Sequence, residues 1–154
     1  MRVSLILAGC LAASGVHAAT CFTPVEVEAA DLRVLQQQFN VAALNCQTSD
    51  TSATFAERYN IFIKLFSRQL QDNSEILYHH FGKDTRALDR WMTQVANTAG
   101  QDVYRNPLFC QIAWDRLEVL DRMTPDKMET FVYGLGVAGE MAPVCRDKTK
   151  TPAK

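Results

Sequence analysis

The chain has 154 residues, 47% of them apolar and 21% charged, with 16 Lys and Arg against 17 Asp and Glu. That length suits one domain with a buried core. Near-cancelled charge argues against a nucleic-acid binder, and the apolar share argues against a disordered chain.

Residues Met1 to Ala19 carry one charge, Arg2, then the apolar run Val3 to Ala13, then Val16-His17-Ala18. A charged start, an apolar stretch and small residues before a cleavage point form a secretory signal peptide, here spanning residues 1–18 with cleavage after Ala18. A competing reading takes Leu7-Ala8-Gly9-Cys10 as a lipoprotein signal with Cys10 acylated. Its apolar run, Val3 to Leu7, is short for export, so the soluble periplasmic or secreted form is preferred. No later stretch approaches the roughly 20 apolar residues of a membrane span. Processing removes Cys10 and leaves Cys21, Cys46, Cys110 and Cys145. An even number in an exported chain reads as two disulfides; neither the C-x-x-C-H of an attached haem nor zinc-ligand spacing is present.

The remainder, residues 19–145, reads as one helical domain. Thr23-Pro24-Val25-Glu26 is a capping box with Pro at the first helical position. Leu32, Leu35, Phe39, Ala42, Ala43 and Cys46 follow at helical spacing. A polar loop over residues 47–52 leads to a second capping box, Thr54 with Glu57. Phe55, Tyr59, Phe62, Ile63, Phe66 and Leu70 then form one apolar stripe. Asp72 or Asn73 can cap a short third helix ending at Gly82. Asp84 can cap a fourth, with Leu88, Trp91, Met92, Val95 and Ala99 on one face and Gly100 beyond its end. Asn106-Pro107 starts a fifth, with Phe109, Ile112, Ala113, Leu117 and Leu120 inward. Thr124-Pro125 starts a sixth carrying Met128, Phe131, Val132 and Leu135. Alternating strand patterns are missing, and residues 146–154 read as a disordered basic tail.

The expected fold is therefore all-α: an antiparallel helical bundle of about five to six helices tied by two disulfides. A continuous first helix holds Cys21 and Cys46 roughly 35 Å apart, so they cannot pair. If the third and fourth helices run back down together, Cys46–Cys110 is favoured, leaving Cys21–Cys145 to join the chain ends. Cys21–Cys110 with Cys46–Cys145 stays open.

Gly134-Leu135-Gly136-Val137-Ala138-Gly139 matches G-x-G-x-x-G. The dinucleotide fingerprint needs a preceding strand and a following helix, and neither is expected here. The glycines are read instead as ending the sixth helix and letting backbones pack closely, so no cofactor is assigned. Glu75 and His79 stand at i, i+4 beside His80, and these three are the candidate metal ligands. Adjacent histidines on a helix point about 100° apart, so helix-surface histidines are the favoured reading and no metal is assigned. Glu57, Glu75, Asp84, Asp89, Asp115 and Glu118 could hide a carboxylate pair, yet any helical domain offers as many. There is no G-x-S-x-G, and no catalytic residue is assigned. Gln36-Gln37-Gln38 reads as a solvated face, and Tyr59, Asn60, Trp91 and Asn97 as buried polar groups.

The pattern Leu32-Arg33, Ala42-Ala43-Leu44-Asn45-Cys46-Gln47, Tyr59-Asn60 with Phe62 and Phe66, Ala96-Asn97 and Phe109-Cys110 resembles small exported all-helical four-cysteine proteins of alphaproteobacteria. The resemblance implies a periplasmic home and brings no activity, ligand or catalytic residue. The expected function is a non-enzymatic periplasmic binding or accessory protein, of inhibitor, immunity or assembly-factor type, whose partner is another periplasmic or envelope protein. A small-ligand or metal carrier using the bundle interior is the alternative, and a cell-envelope enzyme is third.

Overall fold

The computed structural model describes residues 21–46 and 54–145. Expectations for the signal peptide, the loop after Cys46 and the basic tail fall outside these residues. Among the described residues lie six α-helices: α1 (Pro24–Asn45), α2 (Phe55–Leu65), α3 (Ser67–His80), α4 (Thr85–Arg105), α5 (Phe109–Leu120) and α6 (Pro125–Leu135). A 3₁₀ turn at Gly139–Met141 follows. The fold is the expected all-α, disulfide-tied bundle.

Local signals set most of the helix starts. The backbone N–H groups of Thr23 and Thr54 each donate to a glutamate three residues on, Glu26 and Glu57, both at 2.7 Å. Each threonine hydroxyl accepts from that glutamate's own N–H, so both capping boxes close. Asp84 caps α4 by accepting from Arg86 N–H at 2.9 Å. Pro125 begins α6, where its missing N–H costs nothing.

Helix α1 is the hub and packs against all the other helices. It therefore needs more than one apolar stripe. Leu32, Leu35, Phe39 and Ala42 face a large aromatic core with Phe55, Phe62 and Phe66 from the α2–α3 segment. Ala29, Ala30 and Val34 face a second core with Leu77, Trp91 and Val95. The small side chains at 29 and 30 lie outside the expected stripe and are buried because α1 is covered on several sides.

Several local expectations are corrected. The stripe Phe55–Leu70 does not ride on one helix: the chain bends at Phe66, whose fully buried ring packs on Phe62 at 5.3 Å. Helix α3 consequently begins at Ser67, and Asp72 and Asn73 lie within it rather than capping it. Helix α4 runs through Gly100 to Arg105, carried on by Val103, which packs on the larger core. Finally, Gln36 and Gln38 are half-buried and accept from Arg33 at 2.5 Å and Arg116 at 3.1 Å, so they are not simply a solvated face. Asn60 and Asn97 are exposed, whereas Trp91 is buried and donates through Nε1 to the Met141 carbonyl at 2.9 Å.

The disulfides are Cys21–Cys145 and Cys46–Cys110, with Cα separations of 4.8 and 5.5 Å. The favoured pairing is the one formed. Beside the first, Phe22 N–H donates to the Pro143 carbonyl at 2.8 Å and Cys145 N–H to the Phe22 carbonyl at 2.9 Å. The strap from Gly136 to Cys145 is thereby laid across the start of α1. Two bridges between four cysteines are the signature of an oxidising, extracytoplasmic compartment.

Candidate functional site

Two charged residues near the middle of α1 stand out, and they point to different sides. Positions i and i+2 on a helix diverge by about 200°. Asp31 turns toward the strap after α6, and Arg33 toward α3.

Asp31 is 1% exposed. Gly136 (φ 56°) closes α6 in the left-handed conformation and Gly139 (φ 47°) turns the chain again. Only glycine takes such angles without strain. Between the two turns the Ala138 N–H points at Asp31 Oδ1, 2.7 Å away. The Gly134–Gly139 motif thus does meet an anion through its backbone, but the anion is a carboxylate of the same chain and no strand precedes it. The expected close packing of its glycines is not the reason for them. A Cβ at Gly134, Gly136 or Gly139 would meet nothing within 4 Å, and positive φ explains Gly136 and Gly139.

The second oxygen of Asp31, Oδ2, is buried and has no donor among the described residues. Burial raises the carboxyl above its ordinary value of 3.8; the Ala138 N–H pulls the other way, and the charge of Glu28 adds to the rise. Asp31 lies at the floor of an open groove of about 370 Å³ walled by Val27, Tyr133, Ala142 and Val144. Tyr133 and Val144 are 46% and 58% exposed, so the rim offers apolar surface to solvent around a desolvated carboxyl.

Arg33 is half-buried. Its guanidinium donates to Gln36 Oε1 at 2.5 Å, to the Leu70 carbonyl at 3.0 Å and to Ser74 Oγ. Ser74 Oγ itself donates to the Leu70 carbonyl at 2.9 Å. All three acceptors are neutral, and Arg33 makes no salt bridge among the described residues. Burial lowers its affinity for the proton, and Tyr59 acts in the opposite direction without reversing the shift. Arg33 and Ser74 form the polar end of a cavity of about 170 Å³ whose walls are Leu77, Leu88 and Met92, with exposed Asp89 on its edge.

The candidate metal ligands are divided. Glu75 Oε1 and His79 Nε2 pair at 3.0 Å on the surface of α3. His80 is not on the helix surface, contrary to expectation: its ring is 3.8 Å from Phe22, stacked, and Nδ1 lies 3.2 Å from Glu26 Oε1. The aromatic cluster of Phe22, Phe81 and Trp91 draws the ring inward, because α3 ends against the start of α1. Among the described residues no group of three or more His, Cys, Asp or Glu side chains could hold a metal ion. Of the other acidic candidates, Glu57 pairs with Thr54, Asp84 with Arg86 N–H, Asp115 with Gln111 and Glu118 with Arg122, while Asp89 is exposed.

Asp31 and Arg33 were not singled out by the sequence reading. The signal was present: they are the only two polar residues in the run Ala29-Ala30-Asp31-Leu32-Arg33-Val34-Leu35. A charge inside an apolar run on a helix buried on several sides must find a partner or remain costly. No protein family, no curated protein and no solved structure matches this chain.

Proposed function

We propose that this is an exported, periplasmic, non-enzymatic accessory protein of the inhibitor, immunity or assembly-factor type. It acts by binding another periplasmic or envelope protein. The reading rests on one observation, the groove over Asp31. Apolar surface at Val27, Tyr133 and Val144 surrounds a carboxyl whose Oδ2 has no donor. A basic side chain flanked by apolar residues complements that arrangement, in the manner of an interface anchor surrounded by water-excluding contacts. The Cys21–Cys145 disulfide holds the groove's base, since it anchors the strap.

The test is a photo-crosslinking amino acid placed at Tyr133 in cells, with Arg68 on the exposed face of α3 as control. A discrete adduct from position 133 but not 68, identified by mass and reconstituted from purified components, is expected. Asp31→Asn keeps an acceptor for Ala138 N–H while removing the charge, and it should weaken the reconstituted complex at least tenfold. Equal adducts from both positions, or a complex indifferent to Asp31→Asn, would refute the reading.

A further inference from the structure

The side-chain cluster around Arg33 has a feature that packing does not explain. An arginine offers five N–H donors, and three bonds reach acceptors in Gln36, Leu70 and Ser74. The bonds to Leu70 and Ser74 clamp α1 to α3 beyond the bend at Phe66. A neutral donor would serve three neutral acceptors with far less desolvation, because removing a cation from water costs several times what removing an amide does. The clamp accounts for the hydrogen bonds and leaves the charge without a counterpart among the described residues. Asp89 does not supply one, since it stands beyond salt-bridge distance.

What adjoins the guanidinium is space. The cavity of about 170 Å³ is close to the roughly 150 Å³ that accommodates a benzene in an engineered protein core. One end is Arg33 and Ser74; the walls are the side chains of Leu77, Leu88 and Met92. A cation that keeps Nε–H and one Nη1 N–H uncommitted to Gln36, Leu70 or Ser74 matches a carboxylate through charge and a charge-assisted hydrogen bond. Three aliphatic and thioether walls match a short hydrocarbon tail.

We propose that this cavity binds a small carboxylic acid with an apolar tail of about four carbons, its carboxylate on Arg33 and its tail between α3 and α4. The site is separate from the Asp31 groove and does not depend on the groove's being a docking surface. Pentanoate supplies this chemistry alone; L-norvaline adds an α-ammonium that Asp89 would meet at the cavity edge; 1-pentanol keeps the tail and lacks the carboxylate.

The experiment is titration of each of these three probes into the oxidised protein, followed by NMR of the ¹³C-labelled probe and by calorimetry. Saturable one-site binding of pentanoate or L-norvaline, at least tenfold tighter than 1-pentanol, is expected. The ratio of the two carboxylates tells whether the ligand class is a fatty acid or an amino acid. Arg33→Gln should weaken binding at least tenfold. Leu88→Trp fills the cavity and leaves every hydrogen bond of Arg33 in place, so it decides the matter where Arg33→Gln disturbs the fold. Lack of binding by either carboxylate, equal binding of 1-pentanol, or binding unaffected by Leu88→Trp overturns the proposal.

Discussion

Asp31→Asn should make the protein more stable at neutral pH. The carboxyl is 1% exposed, one oxygen accepts from Ala138 N–H at 2.7 Å, and the other has no donor among the described residues. Burial raises its folded value above 3.8. A raised carboxyl means that the protonated form is the one the fold prefers. The stability contributed by protonated Asp31 is complete below 3.8 and is lost as pH rises through the raised folded value. At pH 7 the ionised group is a net cost. An unsatisfied buried polar group costs about 1–3 kcal/mol. Asparagine keeps the acceptor for Ala138 but leaves its own amide N–H groups unpaired and makes a weaker, uncharged bond. The net gain should be on the order of 1 kcal/mol, or about 3–5 °C in Tm for a domain of this size. Urea unfolding of both proteins at pH 7 and pH 3 measures it. The difference should be full at pH 7 and close to zero at pH 3, where Asp31 carries its proton. An Asp31→Asn protein less stable at pH 7, or an advantage that persists at pH 3, would refute the reasoning.

Replacing Cys46 and Cys110 together by Ala opens a loop whose ends are 64 residues apart; the chain-entropy relation puts the loss at about 4 kcal/mol, read from urea midpoints under oxidising conditions. The glycine motif should split by position. Gly136→Ala forces a side chain into φ 56° and should cost about 1–2 kcal/mol, while Gly134→Ala, inside α6 with open space around it, should gain up to about 1 kcal/mol in the same assay. Burial pushes Glu26 upward, but bonds from Thr23 and the neighbouring His80 outweigh it and hold the carboxyl below 4.5. Its stability contribution is therefore present above 4.5 and lost as pH falls through the lowered value, so Glu26→Gln should be less stable at neutral pH, with the gap closing in acid.

The helices were legible because their signals are local. Both capping boxes, Asp84 and the proline starts fix ends through bonds within a few residues. Exclusion took the disulfides only part of the way: a 22-residue helix rules out Cys21 with Cys46, and the choice between the two remaining pairings rested on how the third and fourth helices run back along the first. What failed was decided by tertiary packing. Nothing near Phe66 marks a break, because the bend is made by its ring being held in the core by Phe62. Gly100 looks like a stop, yet α4 continues because the apolar side chain of Val103 still has a core to join. His80 looks like its neighbour His79, and only the approach of Phe22 from the far end of the chain separates them. Asp31 shows the same limit most sharply, since its partner Ala138 is 107 residues away.

The two features with the clearest functional content sit on the same element, and that placement bears on their meaning. Helix α1 touches every other helix, so a charge in its middle is desolvated whichever way it points. Asp31 and Arg33 are too close in sequence to pair, lying on divergent faces of one helix. A sequence tuned for stability alone would place apolar or small residues at both positions, as it does at Ala29, Ala30, Leu32, Val34 and Leu35. Instead each charge stands beside open space: Asp31 beneath the groove near Tyr133 and Val144, Arg33 at the polar end of the cavity between α3 and α4. The disulfides bear on the same point. By constraining the unfolded chain they supply stability that does not come from α1's own packing, which lets the hub helix carry two groups the fold does not need. If so, removing the Cys46–Cys110 bridge should make the benefit of Asp31→Asn easier to see as a rise in the folded fraction at 37 °C, although its size in free energy stays the same.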